Sequence, residues 1–138
     1  MEVRPRRDRG LALIVDDEPA IRKVVGMMLR RLGFEVLAAE DGLEALDVLS
    51  TVADKAVLVL LDYSMPRMGG PQTLAGIRAA WPDLPVIMCS GYDPGDLTTG
   101  EMPGATAYLQ KPIRFGDLAE ILDAVLDGGP APTKGEQT

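Results

Sequence analysis

Two stretches, Leu11-Ala12-Leu13-Ile14-Val15-Asp16-Asp17 and Ala56-Val57-Leu58-Val59-Leu60-Leu61-Asp62, are unbroken apolar runs that each stop at a carboxylate. A strand with one wet face alternates apolar and polar residues. A continuous run instead marks a strand buried on both faces, as in the middle of a parallel sheet. Three more runs, Phe34–Ala39, Pro85–Cys89 and Ala105–Leu109, complete five predicted strands. Between them the spacing becomes helical. Ile21, Val24, Val25, Met28, Leu29 and Leu32 recur at i, i+3, i+4, i+7, i+8 and i+11, and Gly33 supplies a stop. Leu43, Leu46 and Leu49 mark a second helix, and Leu74, Ile77 and Trp81 a third. Leu118, Ile121, Leu122, Val125 and Leu126 mark a last one, closed by Gly128. The segment Asp93–Gly104 holds two prolines and several glycines, so the fourth helix is predicted to be short or irregular. Strands alternating with helices predict βα units and an α/β parallel sheet covered on both sides.

Composition narrows the chemistry. The chain has 138 residues, the size of one domain, with 46% hydrophobic and 25% charged residues. No apolar run approaches the ~20 residues that span a bilayer, and the first residues lack the apolar stretch of a secretory signal. A single cysteine, Cys89, leaves no internal disulfide, reads as an inert core residue and fits a reducing, cytoplasmic setting. With no histidine, the chain holds no His-ligated zinc, no Ser-His-Asp triad and no phosphohistidine of its own. Residues 11–128 carry 9 basic and 18 acidic side chains, a body that repels phosphate backbones and argues against nucleic acid as its partner. Residues 1–10, with Arg4, Arg6, Arg7 and Arg9, read as a flexible basic leader. Residues 11–127 form the folded domain, and 128–138 a flexible tail or linker stump.

In an open parallel sheet, ligands bind beyond the carboxyl ends of the strands, where the strand order reverses. The first strand runs into Asp16 and Asp17, the third into Asp62, the fourth into Ser90-Gly91 and the fifth, after Gln110, into Lys111-Pro112. Each group alone has an ordinary explanation. Asp16 or Asp17 could cap the helix that opens at Pro19, and Asp62 and Ser90-Gly91 could serve turns. Lys111 could be solvated surface, and Tyr108 a partly buried packing residue. Chance rarely supplies all of them at the right strand ends. Carboxylates about 5 Å apart repel by on the order of 3 kcal/mol per pair at an effective dielectric of ~20. Lys111 offsets part of that, and a divalent cation the rest. All-oxygen ligands suit Mg²⁺, with Mn²⁺ possible, rather than zinc. With a cation present Asp62 could attack a phosphoryl group and become an aspartyl phosphate, while Lys111 and Ser90 stabilise the transferring oxygens.

The set Leu13-Ile14-Val15-Asp16-Asp17-Glu18-Pro19, Leu60-Leu61-Asp62-Tyr63-Ser64-Met65-Pro66-Arg67-Met68-Gly69-Gly70, Ser90-Gly91-Tyr92 and Tyr108-Leu109-Gln110-Lys111-Pro112 resembles the receiver domain of bacterial two-component response regulators. The likeness covers residues 11 to about 127. It implies a flavodoxin-like, doubly wound sheet in the order 2-1-3-4-5 with five helices. It also implies Asp62 as phosphoacceptor, Asp17 as a direct Mg²⁺ ligand, Asp16 acting mainly through water, and the backbone carbonyl of Ser64 as a third ligand. Lys111 would pair with the phosphoryl group, Ser90 would be the switch hydroxyl, and Tyr108 the aromatic that follows it. A cis peptide between Lys111 and Pro112 would aim the lysine inward.

The resemblance further implies transfer from a histidine kinase or a histidine phosphotransfer protein. The switched face would be built by the fourth helix, the fifth strand and the fifth helix, on a monomer or weak dimer that performs only self-phosphotransfer and autodephosphorylation. The Gly- and Pro-broken fourth segment is expected to be mobile and not to support a helix-four dimer. Ser90-Gly91-Tyr92 is similar to receivers joined to hybrid sensor kinases, although a single-domain regulator fits as well. Two other classes compete. A phosphorylation-independent adaptor has no need of Asp62, Lys111 and the acidic pair. A Mg²⁺-dependent phosphohydrolase with an aspartate nucleophile usually needs an acid/base aspartate where this chain has Ser64.

Overall fold

The computed structural model describes residues 9–91 and 104–126. The expectations for residues 1–8, for 92–103 and for the tail from 127 on, including the short fourth helix and the Gly128 stop, lie outside the described residues. Five strands, β1 (Gly10–Val15), β2 (Phe34–Ala39), β3 (Ala56–Asp62), β4 (Val86–Ser90) and β5 (Ala107–Gln110), form one parallel sheet in the order β2-β1-β3-β4-β5. Four helices are described: α1 (Pro19–Arg31), α2 (Gly42–Val52), α3 (Gly70–Ala80) and α4 (Phe115–Leu126), the last being the fifth helix of the expected order.

The two unbroken apolar runs occupy the centre. Leu11 to Val15 of β1 and Leu58 to Asp62 of β3 are all buried. Alternation divides the core into two layers. Ala12, Ile14, Leu58, Leu60, Ile87 and Cys89 meet α1 and α4 on one side. Leu13, Val15, Val59, Leu61, Val86 and Met88 meet α2 and α3 on the other. α1 opens with Pro19 at its first position and is followed by Leu32 as its C-cap, and Gly33 at φ +102° turns the chain into β2. Arg9, just before β1, lies over the Phe34 ring at 4.8 Å and reaches Asp123 of α4 at 3.4 Å, tying the start of the fold to its last helix.

Details differ from the sequence expectation. Val24 and Leu43, assigned to buried helical stripes, are 48% and 49% exposed. At about 100° per residue, Val24 lies beyond the edge of the arc shared by Val25, Met28 and Leu29, and Leu43 is roughly 120° from Leu49. Strands β4 and β5 begin one and two residues later than the apolar runs that mark them. Pro85 has no N–H for the ladder, and the Thr106 hydroxyl oxygen accepts the Val86 N–H at 3.0 Å.

Leu60 touches both neighbouring strands and the α1/α4 layer with no exposed surface to relax into. Leu60→Ala is expected to cost about 2–5 kcal/mol, read as a lower urea midpoint at an unchanged slope.

Candidate functional site

Register assembles the site. Val15 pairs with Leu61, Asp62 with Cys89, and Ser90 with Gln110, so the carboxyl ends of β1, β3, β4 and β5 share one rim. Asp16, Asp62, Ser90 and Lys111 stand along it. Met88 pairs with Tyr108 one step back from Ser90 and Gln110, which puts Ser90 and Tyr108 on the same sheet face, on neighbouring strands. Tyr108 is half-buried against the α2/α3 layer, and burial pushes its hydroxyl pKa up.

The charged groups converge as the strand ends predict. Lys111 Nζ lies 2.8 Å from Asp16 Oδ2 and 3.0 Å from Asp62 Oδ1. The Lys111–Pro112 peptide is cis, in agreement with the resemblance. One carboxylate oxygen from each of Asp16, Asp17 and Asp62 can be chosen so that all lie within 4.8 Å of one another. Asp16 and Asp62 are buried, whereas Asp17 is exposed. Neither Asp16 nor Asp17 caps α1. The N-cap is Glu18, without a side-chain cap bond, and Asp16 Oδ1 instead accepts the Glu18 N–H at 2.9 Å. Both oxygens of Asp16 are therefore engaged. Arg22 Nη1 donates to the Asp16 carbonyl at 2.8 Å and pins the turn that carries the pair.

Burial raises the Asp62 pKa, and the nearby Asp16 charge adds to the rise against the opposing pull of Lys111. For Lys111 burial works against the ammonium, but the hydrogen bonds to Asp16 and Asp62 outweigh it and its pKa is raised. Asp62 thus tolerates its charge poorly, while Lys111 is firmly protonated. Cys89, one strand over from Asp62, is pushed up to about 12 by burial, in keeping with an inert core thiol.

Three further groups, Gly70, Asp41 and Arg67, support the site. A Cβ on Gly70 would stand 2.6 Å from the Asp62 carbonyl oxygen and 2.8 Å from Tyr63 Cα. Only glycine lets α3 begin so close to the strand end, and its N–H donates to the Tyr63 carbonyl at 2.9 Å. Asp41 caps α2 by accepting the Glu44 N–H at 2.8 Å, and it pairs with Arg67 from the loop after β3. The spacing Asp41…Glu44 is a capping signature legible in the sequence. The partnership with Arg67, 26 residues on, is not.

The two shifted aspartates give opposite pH signatures. Asp62 has a folded pKa above its ordinary 3.8, so the fold loses stability as pH rises through that folded value. Asp62→Asn is therefore expected to raise Tm at neutral pH in chelator-treated buffer, each 1 kcal/mol regained reading as about 4 °C, with the gain shrinking toward pH 3.8. Asp41 is held below 3.8 by the Glu44 N–H and by Arg67, so it stabilises the fold above pH 3.8 and that contribution is lost as acid titrates its lowered folded value. Asp41→Asn is expected to lower the urea midpoint at pH 7 and to flatten the acid limb of stability against pH.

A family model of the response regulator receiver domain matches residues 12–123. The transcriptional regulatory protein GlrR of Escherichia coli is 34% identical over 116 residues, covering 83% of this chain and 26% of GlrR. The chain thus spans about a quarter of that relative's length. Among solved structures, the receiver domain from the hybrid histidine kinase CckA is 37% identical at a TM-score of 0.72, covering 85% of this chain and 99% of that one. The Thermotoga maritima response regulator TrrA, in complex with Mg²⁺-BeF, is 31% identical at a TM-score of 0.72, covering 84% and 98%. With the sheet order, the acidic rim and the family match in agreement, the chain belongs to the response regulator receiver domain family, and its fold is that of a two-component signalling module.

Proposed function

We propose that this receiver accepts a phosphoryl group from a phosphohistidine onto Asp62. The observation that carries the reading is the Lys111 ammonium set between Asp16 and Asp62 with the exposed Asp17 alongside. In the transfer, an Asp62 carboxylate oxygen forms a bond to phosphorus as the phosphorus–nitrogen bond to the donor imidazole breaks, and the electron pair leaves on that nitrogen. Lys111, already protonated beside Asp62, meets the charge on the phosphoryl oxygens, and the Ser90 hydroxyl at the same rim supplies a hydrogen bond. The partner supplies the histidine, since this chain has none.

The donor set fits Mg²⁺. One carboxylate oxygen from each of Asp16, Asp17 and Asp62 could face a single cation, all of these donors are oxygen, and both Asp16 oxygens already have partners. Asp17 and Asp62 would therefore hold the ion directly with the Ser64 carbonyl, and Asp16 would act mainly through water. Bound there, Mg²⁺ would neutralise the acidic pocket and polarise the transferring group; TrrA, a solved relative, is in complex with Mg²⁺-BeF. Mn²⁺ satisfies the same oxygen set.

The shared face of Ser90 and Tyr108 supports a relay to the surface at β5 and α4. A phosphoryl group raises the negative charge at Asp62 and draws Ser90 toward it, leaving room for Tyr108 to turn inward. The partner is a histidine kinase or a histidine phosphotransfer protein. The CckA likeness supports a setting as the receiver of a hybrid kinase. Among the described residues no helix is long and apolar enough to cross a membrane, and a buried reduced thiol suits the cytoplasm. We take residues 11–127 as the receiver, flanked by a basic leader and a tail, with chemistry limited to self-phosphotransfer and autodephosphorylation.

Intact-mass measurement after incubation with acetyl phosphate is expected to show one phosphoryl adduct with Mg²⁺, none after chelation and none in Asp62→Asn. Wild-type protein without an adduct, even when beryllofluoride is tried as a trap, overturns the reading in favour of an adaptor. Mg²⁺ at 100 times its Kd is expected to stabilise the wild type by about 2.7 kcal/mol, and chelation to remove that gain.

A further inference from the structure

We infer that the Arg67–Asp41 ion pair is the positioning contact that holds the loop after β3 in the shape needed to present the Ser64 carbonyl to a divalent cation, an inference that rests on the receiver reading above. The loop leaves β3 at Asp62 and re-enters α3 at Gly70, where the Gly70 N–H is bonded to the Tyr63 carbonyl at 2.9 Å. Its far end is held by Thr73, whose hydroxyl donates to the Gly69 carbonyl at 2.8 Å. Between these anchors Arg67 sits at φ +67°, in the left-handed region that favours glycine, and the Met68 N–H bonds back to the Pro66 carbonyl at 2.7 Å. A non-glycine residue persists in that conformation only where its surroundings over-determine it.

What over-determines Arg67 is its side chain. The guanidinium reaches Asp41, which is buried and fixed by capping α2. Arg67 itself is 61% exposed, so the contact is charge and geometry rather than packing. The first turn of α2 lies against the same loop, since a Cβ on Gly42 would collide with the Thr73 hydroxyl and come within 2.7 Å of Met68 Cγ. The loop is thereby pinned to α2 on one side and to α3 on the other. Ser64, Met65 and Pro66 form the short span between the Asp62 end and the Arg67 anchor, and Ser64 is the residue whose carbonyl the proposed Mg²⁺ site would use. Freeing Arg67 removes the distal anchor of that span. None of the hydrogen bonds or ion pairs of Arg67 and Asp41 reaches Asp16, Asp17, Asp62 or Lys111, so both members are positioning residues.

Electrostatic field and positioning predict opposite signs for one of two variants. Removing the Arg67 charge by Arg67→Met makes the region more negative, which by field alone tightens cation binding. Asp41→Asn does the reverse. Positioning predicts that both variants weaken binding. The test is Mg²⁺ titration calorimetry on the full chain, with urea midpoints measured on the same samples and Asp17→Asn as the ligand-loss control. We expect the Mg²⁺ Kd to rise about tenfold in Arg67→Met and in Asp41→Asn. The double variant is expected to be no weaker than either single, and Arg67→Lys to recover part of the loss. An unchanged Kd in both variants alongside lowered urea midpoints overturns the inference in favour of a structural tie, and a tighter Kd in Arg67→Met overturns it in favour of the field. Wild-type protein that takes up no Mg²⁺ overturns the receiver reading, and this inference with it.

Discussion

An ammonium set 2.8 Å from Asp16 and 3.0 Å from Asp62 is what allows a parallel sheet to end on clustered carboxylates. Two buried carboxylates side by side repel by several kcal/mol at the effective dielectric of a protein, and each also resists leaving water. Lys111 meets both at once, and the Glu18 N–H takes the remaining oxygen of Asp16. The compensation is incomplete. The pKa of Asp62 stays raised, which means the fold would be more stable without that charge. A group kept at a cost in stability, buried and beside a fixed cation, is the expected state of a reactive carboxylate.

The sheet makes this arrangement possible by being rigid where the chemistry is. β1 and β3 are packed on both faces, so the two strand ends that deliver Asp16 and Asp62 have little freedom. Parallel register brings in Ser90 and Lys111 from the next two strands without any long loop having to find its place. The irregular parts of the site are the turns that follow. These are held by specific contacts: Arg22 on the Asp16 carbonyl, Gly70 against the Asp62 carbonyl, and Arg67 on Asp41. Ser90 and Tyr108 lie on neighbouring strands, on the opposite sheet face from the α1/α4 layer.

The continuous runs at Leu11–Val15 and Ala56–Leu61 already determine a doubly covered parallel sheet, because no alternating polar face is available to water. The carboxylates, serine and lysine that follow the runs were legible for the same reason: strand ends are marked by where apolar runs stop. The helical stripes were legible in their centres, at Val25 and Leu29, but not at their margins, where Val24 and Leu43 face solvent. Local periodicity identifies an apolar arc, and only the neighbouring elements determine how wide an arc is covered.

Tertiary structure alone decided the rest. That Asp16 spends both oxygens on Lys111 and Glu18 while Asp17 stays exposed cannot be told from a doublet of identical residues. That Gly70 is required by the Asp62 carbonyl rather than by a turn, and that Arg67 answers an aspartate 26 residues earlier, are facts about contacts made across the fold. Apolar patterning and strand punctuation are properties of neighbouring residues and survive in a bare sequence. The pairing of charges and the close approach of backbones arise only when segments far apart in the chain are packed together.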